Sequence, residues 1–170
     1  MSLKVIGAIL IIAGCSCFGF FYTAAYKRET RYLRRYIGAL EFMQCELQYR
    51  MTALPELCKM TAEVCEGNLK KLFLNLGKEL ESQISPNVEQ CMQAAIAKVG
   101  DLPKLTKEVL LHLGPVLGRF DLDGQCKGLE SQRMNAIRIL KLHSENQETR
   151  LRSYQTLGIC AGAAVAILFI

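Results

Sequence analysis

The stretch KRETRYLRRYIGALEFMQCELQYR, Lys27 to Arg50, contains no proline and a single glycine. Its apolar residues Tyr32, Leu33, Tyr36, Ile37, Leu40, Met43 and Leu47, continued by Met51, are spaced by one, three or four. At 3.6 residues per turn these positions share one face while the charges take the others. The spacing therefore predicts an amphipathic helix. Working outward, the same pattern recurs downstream. Thr52 can cap a second helix with Pro55 in its first turn, ended by Gly67-Asn68. A third is expected from Leu69 to about Gln83, with Leu69, Leu72, Phe73, Leu76 and Leu80 on one face. Ser85-Pro86 opens a fourth, stopped by Gly100-Asp101; a fifth runs from Leu105 through Leu117; the last starts near Asp121 and reaches Tyr154. No segment alternates with period two, so the expected fold is an all-α antiparallel helical bundle with short connections.

Upstream and at the far end the chain changes character. Every acidic residue lies between Glu29 and Glu148, and every basic residue but Lys4 lies between Lys27 and Arg152. Two uncharged runs remain, Val5–Tyr26 and Ser153–Ile170. A helix rises about 1.5 Å per residue against a hydrocarbon core of about 30 Å, so both runs are expected to be transmembrane helices, the second with little to spare. Thr23-Ala24-Ala25 is only a loose match to a secretory cleavage site, and the lipobox-like Ile12-Ala13-Gly14-Cys15 fits poorly because the sequence stays apolar through Phe18, Phe20 and Phe21, so an uncleaved anchor is expected. The cluster Lys27, Arg28, Arg31, Arg34 and Arg35 flanks the first run, and Arg150 and Arg152 precede the second. By the positive-inside rule both place the middle in the cytoplasm. The organisation expected is thus a transmembrane helix over 1–26, a cytoplasmic bundle over 27–152 and a transmembrane helix over 153–170. Away from Lys27–Arg35 the middle holds equal numbers of basic and acidic residues. The net charge of +5 then reads as a topology signal rather than a nucleic-acid footprint.

The chain has eight cysteines, none in a C-x-x-C pair, and neither His112 nor His143 has a ligand at metal spacing. Cys45, Cys58, Cys65, Cys91 and Cys126 fall on helical stripes and read as small buried hydrophobes. Glycine loops of the phosphate-binding kind and the G-x-S-x-G elbow are absent. No enzyme, no cofactor and no metal is expected.

One segment stands apart: Leu113-Gly114-Pro115-Val116-Leu117-Gly118-Arg119-Phe120-Asp121-Leu122-Asp123-Gly124-Gln125. Gly114 and Gly118, four apart, would leave a smooth notch on one helix face. Pro115 removes a donor and disrupts the turn, Gly118 can end the helix, and Asp121 can cap the next. The pattern L-G-x-x-L-G-x-x-D-x-x-x-Q resembles the hallmark of the stage III sporulation protein AB family. Glu46-Leu47-Gln48-Tyr49 with Thr52-Ala53-Leu54-Pro55 resembles a second segment of that family. The opening Leu3-Lys4-Val5-Ile6-Gly7-Ala8 and the tail from Leu157 to Ile170 fit in order. Pro115 between the glycines and the richness in cysteine depart from the pattern.

The resemblance implies a bundle similar to F-type platform proteins of type II secretion machines. It implies a non-enzymatic scaffold in the channel complex joining mother cell and forespore. The expected location is the mother-cell membrane around the forespore, crossed twice, with the bundle in the cytoplasm. The implied partners are a companion ATPase (stage III sporulation protein AA), other channel membrane subunits and membrane lipid; nucleic acid is not among them, and self-association stays open. Gly114, Gly118, Asp121 and Gln125 form the candidate docking corner. Two rivals are a membrane-anchored signalling protein whose last helix transmits a state, and an enzyme using a thiol of depressed pKa at Cys58 or Cys65.

Overall fold

The computed structural model describes the backbone of residues 2–82, 87–117 and 121–169, and the side chains of residues 24–82, 87–117 and 121–145. Six helices are found among the described residues: α1 Ser2–Arg50, α2 Leu54–Val64, α3 Gly67–Ser82, α4 Val88–Val99, α5 Lys104–Leu113 and α6 Leu122–Phe169. The face predicted for α1 is the one buried: Leu33, Tyr36, Leu40, Met43 and Leu47 all sit in the core. On α3 the buried residues are Leu69, Leu72, Phe73, Leu76 and Gly77.

The helix ends follow local chemistry, with some shifts from the expected positions. At the end of α1, Met51 takes φ 51°, a left-handed conformation usual for glycine, and its N–H bonds the Leu47 carbonyl at 3.3 Å. Ala53, and not Thr52, occupies the N-cap of α2, without a side-chain cap, while Pro55 does sit in the first turn. This helix stops at Val64, so Gly67, at φ 63°, opens α3 instead of closing α2. Asn87 caps α4 by accepting from the Glu89 N–H at 3.3 Å, and Gly100, at φ 76°, stops it. The fifth helix ends at Leu113, short of Leu117, because the Pro115 ring has no N–H to continue the ladder.

The chain falls into two compact units. The larger, residues 29–140, is a bundle in which α2 packs on α3, α3 on α4 and α4 on α5. The first long helix joins it through Tyr36, whose buried hydroxyl donates to the Val109 carbonyl at 3.4 Å, and through Glu41, which meets Arg133 of α6 at 3.0 Å. Burial pushes the Tyr36 hydroxyl well above the ordinary phenol range, so it stays protonated. Exposed ion pairs tie the helices at the surface: Arg35 with Glu66, Lys59 with Glu81 and Lys98 with Glu79. The smaller unit comprises residues 1–28 and 141–170. Within it Tyr26 stacks on His143 with ring centroids 4.0 Å apart, and its hydroxyl donates to the His143 carbonyl.

The expected flanking transmembrane helices require correction. Among the described residues no helix is long and apolar enough to cross a membrane. The described parts of the two long helices are studded with charge: Lys27, Arg28, Arg31, Arg34 and Arg35 on α1, and Lys127, Glu130, Arg133 and Arg138 on α6. The fold is therefore an all-α six-helix bundle without a membrane span in the described residues. The two-pass topology and the mother-cell membrane location rested on those spans, and no such span is found among the described residues. Val5–Tyr26 up to position 23, and Ser153–Ile170 entirely, lie where side chains are outside the described residues.

Candidate docking corner

The corner between α5 and α6 is built by close approaches rather than by an open notch. Gly114 is buried, and a Cβ placed on it would lie 3.0 Å from the Glu89 Cα and 3.3 Å from the Met92 Cβ. Its missing side chain lets the end of α5 rest on the start of α4. The chain then turns over Pro115, with the N–H groups of Val116 and Leu117 bonding the Leu113 carbonyl at 3.0 and 3.2 Å. Leu113 and Leu117 point into the core. Gly118 lies outside the described residues.

Asp121 starts α6 as the spacing predicts. Its carboxylate accepts from the Gly124 N–H at 3.1 Å, and its carbonyl accepts from the Gln125 N–H at 2.9 Å. One otherwise orphaned donor of the first turn is thus satisfied, and the negative charge sits at the favourable end of the helix dipole. Gln125, half-buried, follows one turn later. Asp121 and Gln125 are thus brought together at the helix start; Gly114 lies at the end of the preceding helix, against α4.

Two features of the corner were not read from the sequence. The first is Gly128: a Cβ there would collide with the Val116 side chain. The signal was present as Gly124-Gln-Cys-Lys-Gly128, a second pair of glycines four apart. The second is a groove of about 390 Å³ beside the corner, between Gln44 and Gln48 of α1 and Leu122, Asp123, Cys126, Lys127 and Glu130 of α6. It joins the two segments that carry the family resemblance, since Gln48 belongs to one and Leu122 and Asp123 to the other.

An ion-pair network adjoins the groove at Glu130. Arg133 donates to both Glu130 oxygens, at 2.6 and 3.0 Å, and to Glu41 at 3.0 Å. The Arg133 hydrogen bonds hold the Glu130 carboxyl below its ordinary range, with a further contribution from Gln44, and the same bonds raise Arg133 further. Cys126 is pushed up, first by burial and then by the Asp123 charge. These groups offer a donor-rich and acceptor-rich surface with fixed charges. They offer no activated nucleophile.

The other thiols agree. Burial pushes Cys58 up to about 12 and Cys65 up to about 11, the reverse of what a reactive cysteine needs. The expectation that every cysteine is buried fails at two positions: Cys45 is exposed and Cys126 half-buried. Among the described residues no group of three or more His, Cys, Asp or Glu side chains is placed to hold a metal ion.

Comparison with known proteins supports the resemblance. The family described as stage III sporulation protein AB matches residues 4–170. A curated relative, stage III sporulation protein AB of Bacillus subtilis (strain 168), is 24% identical over 170 residues, covering 98% of each chain. A solved structure of stage III sporulation protein AB shares the fold with a TM-score of 0.62 and 21% identity, covering 72% of this chain and 98% of that one.

Proposed function

Since the chain belongs to the stage III sporulation protein AB family, we propose that it works as a docking subunit in the channel complex linking mother cell and forespore. Proteins of this family are structural channel components and not enzymes, and family membership carries a role in sporulation channel assembly alongside other channel subunits. The finer reading is that the groove beside the Asp121 corner receives the companion ATPase, stage III sporulation protein AA, and that the chain is required for spore formation. Gly114, Asp121 and Gln125 act as positioning residues that set the angle at which α6 leaves the corner and so the width of the groove; Gly118 keeps its place in the corner only by sequence.

The observation that carries this reading is the convergence of Gln44, Gln48, Asp123, Lys127 and Glu130 on one open groove. Of these, Asp123 and Lys127 are exposed, so their charges are accessible to a partner. The test is the paired substitution Asp123→Lys and Lys127→Glu in sporulating cells. Recovery of the ATPase with the chain should be lost while the melting temperature holds. Unchanged recovery would remove the groove as the docking site.

A further inference from the structure

Among the described residues Met51 is the one non-glycine residue with a positive φ, at 51°. It occupies the position just past α1, where its N–H bonds the Leu47 carbonyl at 3.3 Å. Glycine fills that position without steric cost, whereas a Cβ there crowds the following carbonyl. The Met51 side chain gives the fold little in return. Such an end commonly brings the residue back against the side chain three positions inside the helix; here Leu47 is buried in the core while Met51 is 72% exposed. Backbone strain kept without an internal contact points to a use outside the fold. Tyr49, two residues earlier, is 80% exposed.

The place of these two residues says what that use is. Gln48 lines the groove between α1 and α6, and Tyr49 and Met51 follow it within about 5 Å by helical rise. The groove is polar: of its seven lining residues only Leu122 and Cys126 are apolar. Charged and polar groups orient a partner and speed its approach, while most of the affinity of a protein interface comes from a few large side chains that become buried. A groove of this composition needs apolar anchors beside it.

We infer that Tyr49 and Met51 are those anchors, received by an apolar, aromatic-lined pocket on the protein that enters the groove. The inference rests on the reading of the groove as the ATPase site. The Met51 thioether is flexible and polarisable and packs well on aromatic rings. The Tyr49 ring buries a large flat area and keeps its hydroxyl at the wet edge of the contact.

The test uses the full-length chain titrated with purified ATPase, with a thermal melt of each variant. Met51→Gly removes the side chain and relieves the backbone, so its melting temperature should equal or exceed that of the parent while affinity falls at least about tenfold. Met51→Leu keeps the apolar bulk and should bind within about threefold of the parent. Tyr49→Ala should weaken binding at least about tenfold with the melting temperature kept. A Met51→Gly chain that melts below the parent would mean that the side chain serves the fold, and would overturn the inference. Parent-like binding by both Met51→Gly and Tyr49→Ala, with binding lost in Asp123→Lys/Lys127→Glu, would overturn the anchors and leave the groove standing. Parent-like binding by the charge-swapped chain, with binding lost in Met51→Gly, would remove the groove and leave the anchors.

Discussion

Gly128 of α6 passes so close to Val116 of the α5–α6 turn that a single added methyl on the glycine would collide with the valine side chain. The helix crosses the turn at a point where only glycine fits, and this crossing sets how α6 leaves the corner. Gly128→Ala should therefore destabilise the chain by about 1–3 kcal/mol, despite the better helix propensity of alanine. Val116→Ala should recover part of that loss in the double variant, and urea denaturation of the four chains of the cycle measures it. A double variant no more stable than Gly128→Ala alone would mean that the collision is relieved elsewhere.

Glycines elsewhere should behave according to their surroundings. At Gly38, where a Cβ meets nothing, alanine should stabilise by about 0.5–1 kcal/mol through helix propensity alone. At Gly114 the nearest atom to an added Cβ is the Glu89 Cα at 3.0 Å, and backbone cannot move aside as a side chain can. Gly114→Ala should cost about 1–3 kcal/mol. Thermal melts of the two variants separate the outcomes.

Asp121 holds the start of α6 through one side-chain bond. Asp121→Ala should cost about 1 kcal/mol, and Asp121→Ser should recover most of it because a hydroxyl can take the same N–H. If ATPase recovery from sporulating cells falls with Asp121→Ala and returns with Asp121→Ser in step with stability, the residue acts by positioning the helix.

The thiols give a pH-dependent prediction. Cys58 and Cys65 are raised in the fold from 9.0 to about 12 and about 11, so the folded state retains protons that the unfolded chain releases. Their contribution is fully present below pH 9 and is lost progressively as pH rises toward 11–12. Conformational stability measured by urea melts should fall across that range, and Cys58→Ala/Cys65→Ala should fall less steeply. At pH 8, exposed Cys45 should be labelled by a thiol reagent in the folded chain, while buried Cys58, Cys65 and Cys91 react only on unfolding.

Much of the bundle was readable from residues alone because periodicity reports which face of a helix is apolar. Leu33, Tyr36, Leu40, Met43 and Leu47 form one such face, and Gly100 and Asp121 mark helix ends whose chemistry is local. What escaped depends on contacts between elements distant in sequence. The collision of Gly128 with Val116 and the groove between α1 and α6 exist only once the bundle has closed. Cys45 was misread because α1 carries two stripes, and spacing does not say which one turns inward. The transmembrane reading rested on uncharged length, a property of the ends of α1 and α6, whereas the described parts of both helices carry charge at almost every turn.

The central claim is that the chain serves as a docking subunit through the groove beside Asp121. The most direct measurement is recovery of stage III sporulation protein AA with the full-length chain from sporulating cells, comparing the parent with Asp123→Lys/Lys127→Glu. The account predicts that the ATPase is recovered with the parent and lost with the double variant, while both chains melt at the same temperature. Equal recovery with both chains would contradict it.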